Sequence, residues 1–195
     1  SYVKASLLGK AQDKKLLKIN LVDLLRFATD RNKKVDDIPY GGGPGMVIKV
    51  EPVYRAIEYI KSKVRIILFS TRGKKFDGKT ARRLSKYKNL ILICGRYEGV
   101  DERVADYIAD EEISIGDYIL SGGELPAMVL VEAVSRYIPG VLGKRESLEE
   151  IKGSYPAYTR PEAFKPKKGN TWKVPKVLMS GNHKKIEEWR RGFRP

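Results

Sequence analysis

Two apolar patterns alternate along this chain. Val64–Phe69 (VRIILF) and Leu90–Cys94 (LILIC) are continuous apolar runs, the signature of strands covered on both faces of a parallel sheet. Pro52–Ile60 (PVYRAIEYI) carries apolar residues at helical spacing. Lys79–Lys88 and Glu102–Ala109 read as shorter helices, and Leu125–Ile138 (LPAMVLVEAVSRYI) as a mostly apolar helix with Pro126 in its tolerant first turn. Leu16–Leu21 (LLKINL) reads as a further strand, and Ile113–Leu120 as strand at one or both ends. Strand and helix in alternation predict an α/β fold, a mainly parallel sheet with helices on both faces. From Pro139 to Pro175 the pattern is lost under repeated prolines, which predicts a long irregular connection. Asn182–Arg191 then reads as a helix capped by Asn182.

Three glycine-rich, charge-studded loops punctuate this pattern: Tyr40–Met46 (YGGGPGM), Gly95–Asp101 (GRYEGVD) and Ser114–Glu124 (SIGDYILSGGE). Open α/β sheets place ligands where an apolar strand runs out into such a loop. Three of them suggest a composite pocket built mostly of backbone. Free N–H and C=O groups there suit the edge of an adenine, so an adenosine-bearing cofactor is the expected occupant.

Composition narrows the setting. The chain has 195 residues and 42% hydrophobic content, enough for one well-packed domain with a small appendage. A single cysteine, Cys94, forms no internal disulfide, which agrees with a reducing compartment. No apolar run approaches the ~20 residues that span a bilayer, and SYVKASLLGKAQDKK is too polar for a signal peptide. A cytoplasmic protein without membrane partners is expected. Thirty-nine basic residues against 24 acidic ones leave a net charge of +15, an electrostatic footprint for nucleic acid. The basic residues cluster near the loops, at Arg31, Lys33 and Lys34, at Arg72, Lys74 and Lys75, and at Lys165, Lys167, Lys168 and Lys173.

One cysteine and one histidine rule out the usual zinc sites, so no metal ligand set is expected. His183, beside the cap Asn182, reads as structural or as a surface contact. The P-loop, the dinucleotide fingerprint and the nucleophile elbow are missing. The remaining charged candidates are Glu98, Asp101, Glu102, Asp117, Glu124 and Arg136, each of which could equally be a solvated loop charge or half of a structural ion pair. Glu98 stands out because it lies inside a glycine loop, Arg136 because it ends an otherwise apolar helix.

The strings VDDIPYGGGPGM (Val35–Met46), CGRYEGVDERV (Cys94–Val104), SIGDYILSGGELPAM (Ser114–Met128), VSRYIPGVLG (Val134–Gly143), YTRPE (Tyr158–Glu162) and LMSGNHKKIEEWR (Leu178–Arg190) closely resemble the bacterial TrmD family of tRNA (guanine-N1)-methyltransferases. The resemblance implies methylation of guanine N1 at position 37 of tRNA, beside the anticodon. It implies a SPOUT-type fold with a deep trefoil knot, S-adenosylmethionine as cofactor, and a homodimer with shared active sites. By the same resemblance the cofactor would meet Phe69, Ser70, Gly95, Ser114, Ile115, Gly116, Asp117, Tyr118, Ile119, Leu120, Gly122, Gly123 and Pro126. Gly116 and Gly122 are expected to leave room for it. Arg136 would stand near the target guanine, stabilising charge on O6 once N1 loses its proton. Glu98 matches the acidic residue associated with a magnesium dependence, and Tyr40, Gly41, Gly42, Gly43 and Tyr97 would help hold the pocket and the RNA.

The chain departs from the family in one place. The family's general base is an aspartate soon after the VSR helix, and no Asp follows Asp117 here. About ten residues of a flexible lid, a strand ahead of Ser1 and a tRNA-gripping helical domain after Pro195 are missing relative to the family. Either the chain is a longer protein closed up across a gap, which predicts that Glu150 and Ile151 are not bonded neighbours at ~3.8 Å, or it is a reduced, differently targeted or inactive RNA-binding relative in which Glu150 would serve as base. The expected organisation is a methyltransferase core over 1–143, a lid and linker over 144–175, and the start of a helical region over 176–195.

Overall fold

The computed structural model describes residues 2–31, 33–60, 64–96, 98–143 and 155–193. It resolves into two units, Ser1–Leu142 and Gly143–Pro195. Tyr97, Glu150 and Ile151 lie outside the described residues.

The first unit is organised by three parallel strands, β3 (Arg65–Lys75), β4 (Leu90–Ile93) and β5 (Glu111–Ser114), in the order β4-β3-β5. A small antiparallel ladder of β1 (Asp36–Asp37) and β2 (Val47–Ile48) precedes them. Helix α1 spans Ser6–Asp13, α2 Val50–Ile60, α3 Gly78–Leu84, α4 Glu102–Tyr107 and α5 Glu124–Ser135. Consecutive side chains of β3 point to opposite faces, and each face has its own core. On one, Ile67 and Ile113 pack with Ala81 and Leu84 of α3 and Leu130 and Val134 of α5. On the other, Leu68 and Ile93 pack with Ile48, Val53 of α2 and Val104 of α4. The sheet is therefore covered by helices on both faces, as its continuous apolar strands require.

Caps explain where two of the helices begin. Asp77 accepts a bond from the Thr80 N–H (2.7 Å), and Asp101 accepts from the Arg103 N–H (3.0 Å). The start of the sheet is stapled by charge. Glu111 receives Arg65 Nε at 3.0 Å and Arg83 Nη2 at 2.6 Å, tying β3, α3 and β5 together. Asp110 adds a bond from the Ile66 N–H at 2.7 Å. Burial acts to raise the Glu111 pKa, but the bonds and charges of Arg83 and Arg65 outweigh it and hold the carboxyl below its ordinary value.

Several elements differ from the sequence reading. Leu16–Leu21 is not a strand; it joins no ladder among the described residues, and Leu21 is 89% exposed. An apolar run becomes a strand only beside a sheet edge, and no described strand pairs with it. Ser6–Asp13, read only as a polar amino end, is a helix that buries Leu8 and Ala11. Strand β3 does not stop at Phe69 but runs on through the polar residues to Lys75. Its ladder with β5 shifts register between Phe69 and Lys74, so that Lys74 and Lys75 pair with Ile113 and Ser114. Gly73 permits this approach, since a Cβ there would lie 2.6 Å from the backbone of Glu112 and Ile113. Of the two ends of Ile113–Leu120 only the first is strand, and past Ser114 the chain turns through a loop.

In the second unit the long irregular connection contains a two-stranded ladder, β6 (Ala163–Phe164) with β7 (Trp172–Lys173). A short helix, Lys176–Met179, follows, and then a helix His183–Arg191 whose cap Asn182 accepts from the Lys185 N–H at 3.1 Å. Exposed His183 opens that helix.

Candidate active site

Parallel strands end on one edge of the sheet, and the glycine loops gather there. Because β4 and β5 flank β3, the segments leaving them stand on either side of its Phe69–Ser70 stretch. The middle loop is the hub. Its Gly95 carbonyl accepts from the Gly123 N–H at 2.8 Å, and Arg96 pairs with Gly122 in an isolated bridge. On its other side the Glu98 N–H reaches the Met46 carbonyl at 3.1 Å, and the Ile48 N–H reaches the Gly99 carbonyl at 3.0 Å. All three glycine loops are thus brought together.

Each loop is held differently. Gly123 is buried, and a Cβ there would sit 2.6 Å from the Cys94 Cα. Pro126, in the first turn of α5, is also buried and anchors that helix start. Burial, with a smaller push from the Glu124 charge, raises the Cys94 thiol to about 11. Ser114 Oγ donates to the Gly116 carbonyl at 3.0 Å and accepts from its N–H, fixing the exit from β5. In Tyr40–Gly45 the shape comes from backbone conformation. Gly41, Gly42, Gly43 and Gly45 have φ of +86°, +77°, +120° and +83°, and the first three have nothing within 4 Å of where a Cβ would stand. Gly45 instead faces the Glu98 side chain, whose Cγ would lie 2.5 Å from such a Cβ.

Gly116 and Gly122 answer to the chain itself rather than to open space. A side chain at Gly116 would strike the ring of Tyr118, and one at Gly122 the carboxylate of Glu124. The Tyr118 hydroxyl meanwhile donates to the Ile115 carbonyl at 3.3 Å. Beyond it the loop opens. Ile119 is 88% exposed, and among the described residues Tyr118, Ile119 and Leu120 take part in no backbone–backbone hydrogen bond. Apolar surface beside unused backbone groups fits an adenosine moiety. Phe69 is half-buried against the core, and the Ser70 hydroxyl accepts from the Arg72 N–H at 3.2 Å.

The charged candidates divide. Asp101 pairs with Arg103 at 2.7 Å, Glu102 with Arg72 at 2.6 Å, Glu124 with Arg96 at 2.6 Å, and Asp117 with Lys75. These four carboxylates are ion-paired within the chain, and two of the basic residues taken for nucleic-acid contacts, Arg72 and Lys75, are among their partners. Among the described residues, Glu98 and Arg136 have no ion-pair partner. Nor do the described His, Cys, Asp and Glu side chains gather in threes or more to hold a metal. Glu98 is exposed beside Gly45. Arg136, half-buried, caps the far end of α5. Twelve helical residues separate it from Gly123, a run of ~18 Å at 1.5 Å per residue. Helix α5 therefore carries Arg136 away from the Gly122–Gly123 loop.

A parallel α/β sheet with glycine loops massed at its C-terminal edge, on a strongly basic chain, is the architecture of an enzyme domain that holds its ligand on backbone. Residues 1–194 match the family of tRNA (Guanine-1)-methyltransferase TrmD. The chain belongs to that family. Among similar proteins, tRNA (guanine-N(1)-)-methyltransferase of Carboxydothermus hydrogenoformans is 53% identical over 96% of this chain and 74% of its own length. Proteins of the same name from Dictyoglomus turgidum and Endomicrobium trichonymphae are 52% and 46% identical over 95% of this chain, and over 76% and 84% of their own lengths. No described helix is long and apolar enough to cross a membrane.

Proposed function

We propose that this protein methylates N1 of guanine at position 37 of tRNA, in the cytoplasm, with S-adenosylmethionine held by Phe69, Ser70, Gly95, Ser114–Leu120, Gly122, Gly123 and Pro126. The cofactor supplies an electrophilic methyl group. The chain's own part is to hold and orient it. Ile119 and Leu120 offer apolar surface to an adenine, and the unused backbone groups of Tyr118–Leu120 offer donors and acceptors to its edge. The crossing of segments that makes a SPOUT-type trefoil knot would place these loops against one another in the way that the Gly95–Gly123 and Met46–Glu98 hydrogen bonds support.

Guanine N1 carries a proton that must leave before the ring nitrogen can attack, and negative charge then grows on O6. Arg136 suits that charge: it is fixed at a helix end, half-buried, and has no carboxylate among the described residues that would compete for it. Its planar fork can pair with a base edge as a lysine cannot. The exposed Tyr40–Gly43 segment and Tyr97 would hold the nucleotide. Glu98, a lone carboxylate, fits only a magnesium site completed by substrate oxygens, the usual way that ion is bound by proteins acting on phosphates. In this reading residues 1–143 are the methyltransferase core, 144–175 a lid and linker, and 176–195 the start of a helical region for tRNA.

The observation that carries the reading is the family match over residues 1–194; the length of α5 between Gly123 and Arg136 bears on how the site is assembled. It calls for a homodimer in which the arginine of one subunit serves the loops of the other. Subunit mixing tests it on a tRNA with guanine at position 37. Arg136→Ala and Ile119→Asp should each be nearly inactive alone. If sites are shared, random mixing forms heterodimers with one intact site, and about a quarter of wild-type activity returns. No recovery on mixing would mean that each subunit works with its own arginine.

A further inference from the structure

The second unit carries an exposed aromatic and basic surface. In the β6–β7 ladder Phe164 and Trp172 are direct partners, so both rings stand on the same face, with centroids 5.5 Å apart. Phe164 is 51% exposed and Trp172 65%. A cross-strand aromatic pair helps to hold a short hairpin, but that role alone does not account for rings left open to water or for the residues around them. Lys165, Lys167, Lys168, Lys173 and Lys176 are all exposed, and no acidic residue occurs between Ala163 and Lys176. Among the described residues none of these lysines forms an ion pair, in contrast to Arg72 and Lys75. The ladder continues through the Val174 N–H to the Glu162 carbonyl at 2.9 Å. Those two residues also line a groove of about 280 Å³ with Tyr158, Thr159, Arg160 and Leu178.

Open aromatic faces ringed by uncompensated lysines form a stacking platform with an electrostatic track beside it, the combination that binds unpaired nucleotides. We infer that the Ala163–Lys173 hairpin binds unpaired nucleotides of the RNA substrate, stacking bases on Trp172 and Phe164 while Lys165, Lys167 and Lys168 hold the adjoining phosphates. The partner follows from the charge: a ring pair meant for another protein would not need five unpaired cations and no acid. This rests on the reading of tRNA as substrate and adds a contact made by residues outside the methyl-transfer loops.

The test uses the full chain and an unmodified tRNA transcript with guanine at position 37, with binding measured at several salt concentrations. Trp172→Ala should weaken binding by about 5- to 100-fold, the range for one lost stacking partner, and Trp172→Phe should keep most of the affinity. Replacing Lys165, Lys167 and Lys168 with alanine should reduce the slope of log K against log salt by about 2, at ~0.7 per single-strand phosphate. Melting temperature and cofactor affinity should not change, because these side chains are exposed. Unchanged tRNA affinity in both variants would overturn the inference. So would a change of oligomeric state with unchanged tRNA affinity, which would assign the face to protein. Wild-type protein that methylates the transcript while both variants bind it equally well removes the hairpin alone; wild-type protein that neither binds nor methylates it removes the tRNA reading as well.

Discussion

The two edges of the three-stranded sheet use charge in opposite ways. Where the strands begin, Arg65, Arg83, Asp110 and Glu111 satisfy one another across β3, α3 and β5, with Glu111 only 19% exposed. Where the strands end, the rim pairs Arg96–Glu124, Arg72–Glu102 and Lys75–Asp117 are largely solvated, a setting in which ion pairs contribute little. Between them lie groups with no ion-pair or backbone partner among the described residues: the Tyr118–Leu120 backbone and the Glu98 carboxylate. The first edge is closed on itself and serves the fold. The second is left open, with groups still available to a ligand.

Substitutions at the two edges should therefore separate rate from stability. The largest effect is expected at Arg136, the charge proposed to serve the open edge. Arg136→Ala should lower turnover by ~100-fold or more, the scale of losing one oxyanion donor, with cofactor affinity and melting temperature close to wild type. Lysine should restore only part of the rate. A lower melting temperature with normal turnover would instead make Arg136 structural. Gly73→Ala tests the join between the edges. Its methyl would meet the Glu112–Ile113 backbone at 2.6 Å, and the cost should be about 1–3 kcal/mol in denaturant unfolding. Near-wild-type stability would mean that the second half of β3 does not lie against β5.

On the closed side, Glu111→Gln should cost about 1–3 kcal/mol through weakened bonds to the two arginines, while the folded variant keeps normal turnover. The sign of its pH dependence follows from the lowered folded-state pKa. The stabilising contribution is present above the unfolded carboxylate value of about 4.3 and is lost as pH falls through the folded value. Wild type should thus lose stability in acid more steeply than the variant, and parallel acid titrations would sink the assignment. The smallest perturbation is chemical. With its thiol at about 11, Cys94 should be roughly one-thousandth thiolate at pH 8. Iodoacetamide should label it far more slowly than unfolded protein, with a rate that climbs toward pH 11.

What could be read from the sequence was whatever rests on local pattern. Strands β4 and the apolar half of β3 were legible because a strand buried on both faces has no polar alternation to blur it. The glycine loops were legible because no other residue suits the left-handed backbone of Gly41–Gly43. What could not be read depends on distant partners. The extension of β3 to Lys75 exists because Gly73 lets β5 approach, which no propensity encodes. The rim carboxylates looked like catalytic candidates until Arg72 reached Glu102 and Arg96 reached Glu124, each pair about thirty residues apart in sequence. Leu16–Leu21 carried a strand's composition without a neighbour to pair with. The helix Ser6–Asp13 had a signal, with Leu7, Leu8 and Ala11 at helical spacing, that Lys10 and the flanking lysines obscured. The likeness to a family supplied the roles of Arg136 and the cofactor loops; the structure adds which charges are free to take such roles.

Strand β3 is the middle strand of the sheet, and its adjacent residues Ile67 and Leu68 are each at the heart of a different core. Neither core can come apart without withdrawing support from the other, because both are fastened to the same short stretch of chain. The first unit should consequently have no half-melted form: heat or denaturant should take it apart in one sharp transition, and the amide protons of Ile66–Leu68 should be among the last to exchange with solvent.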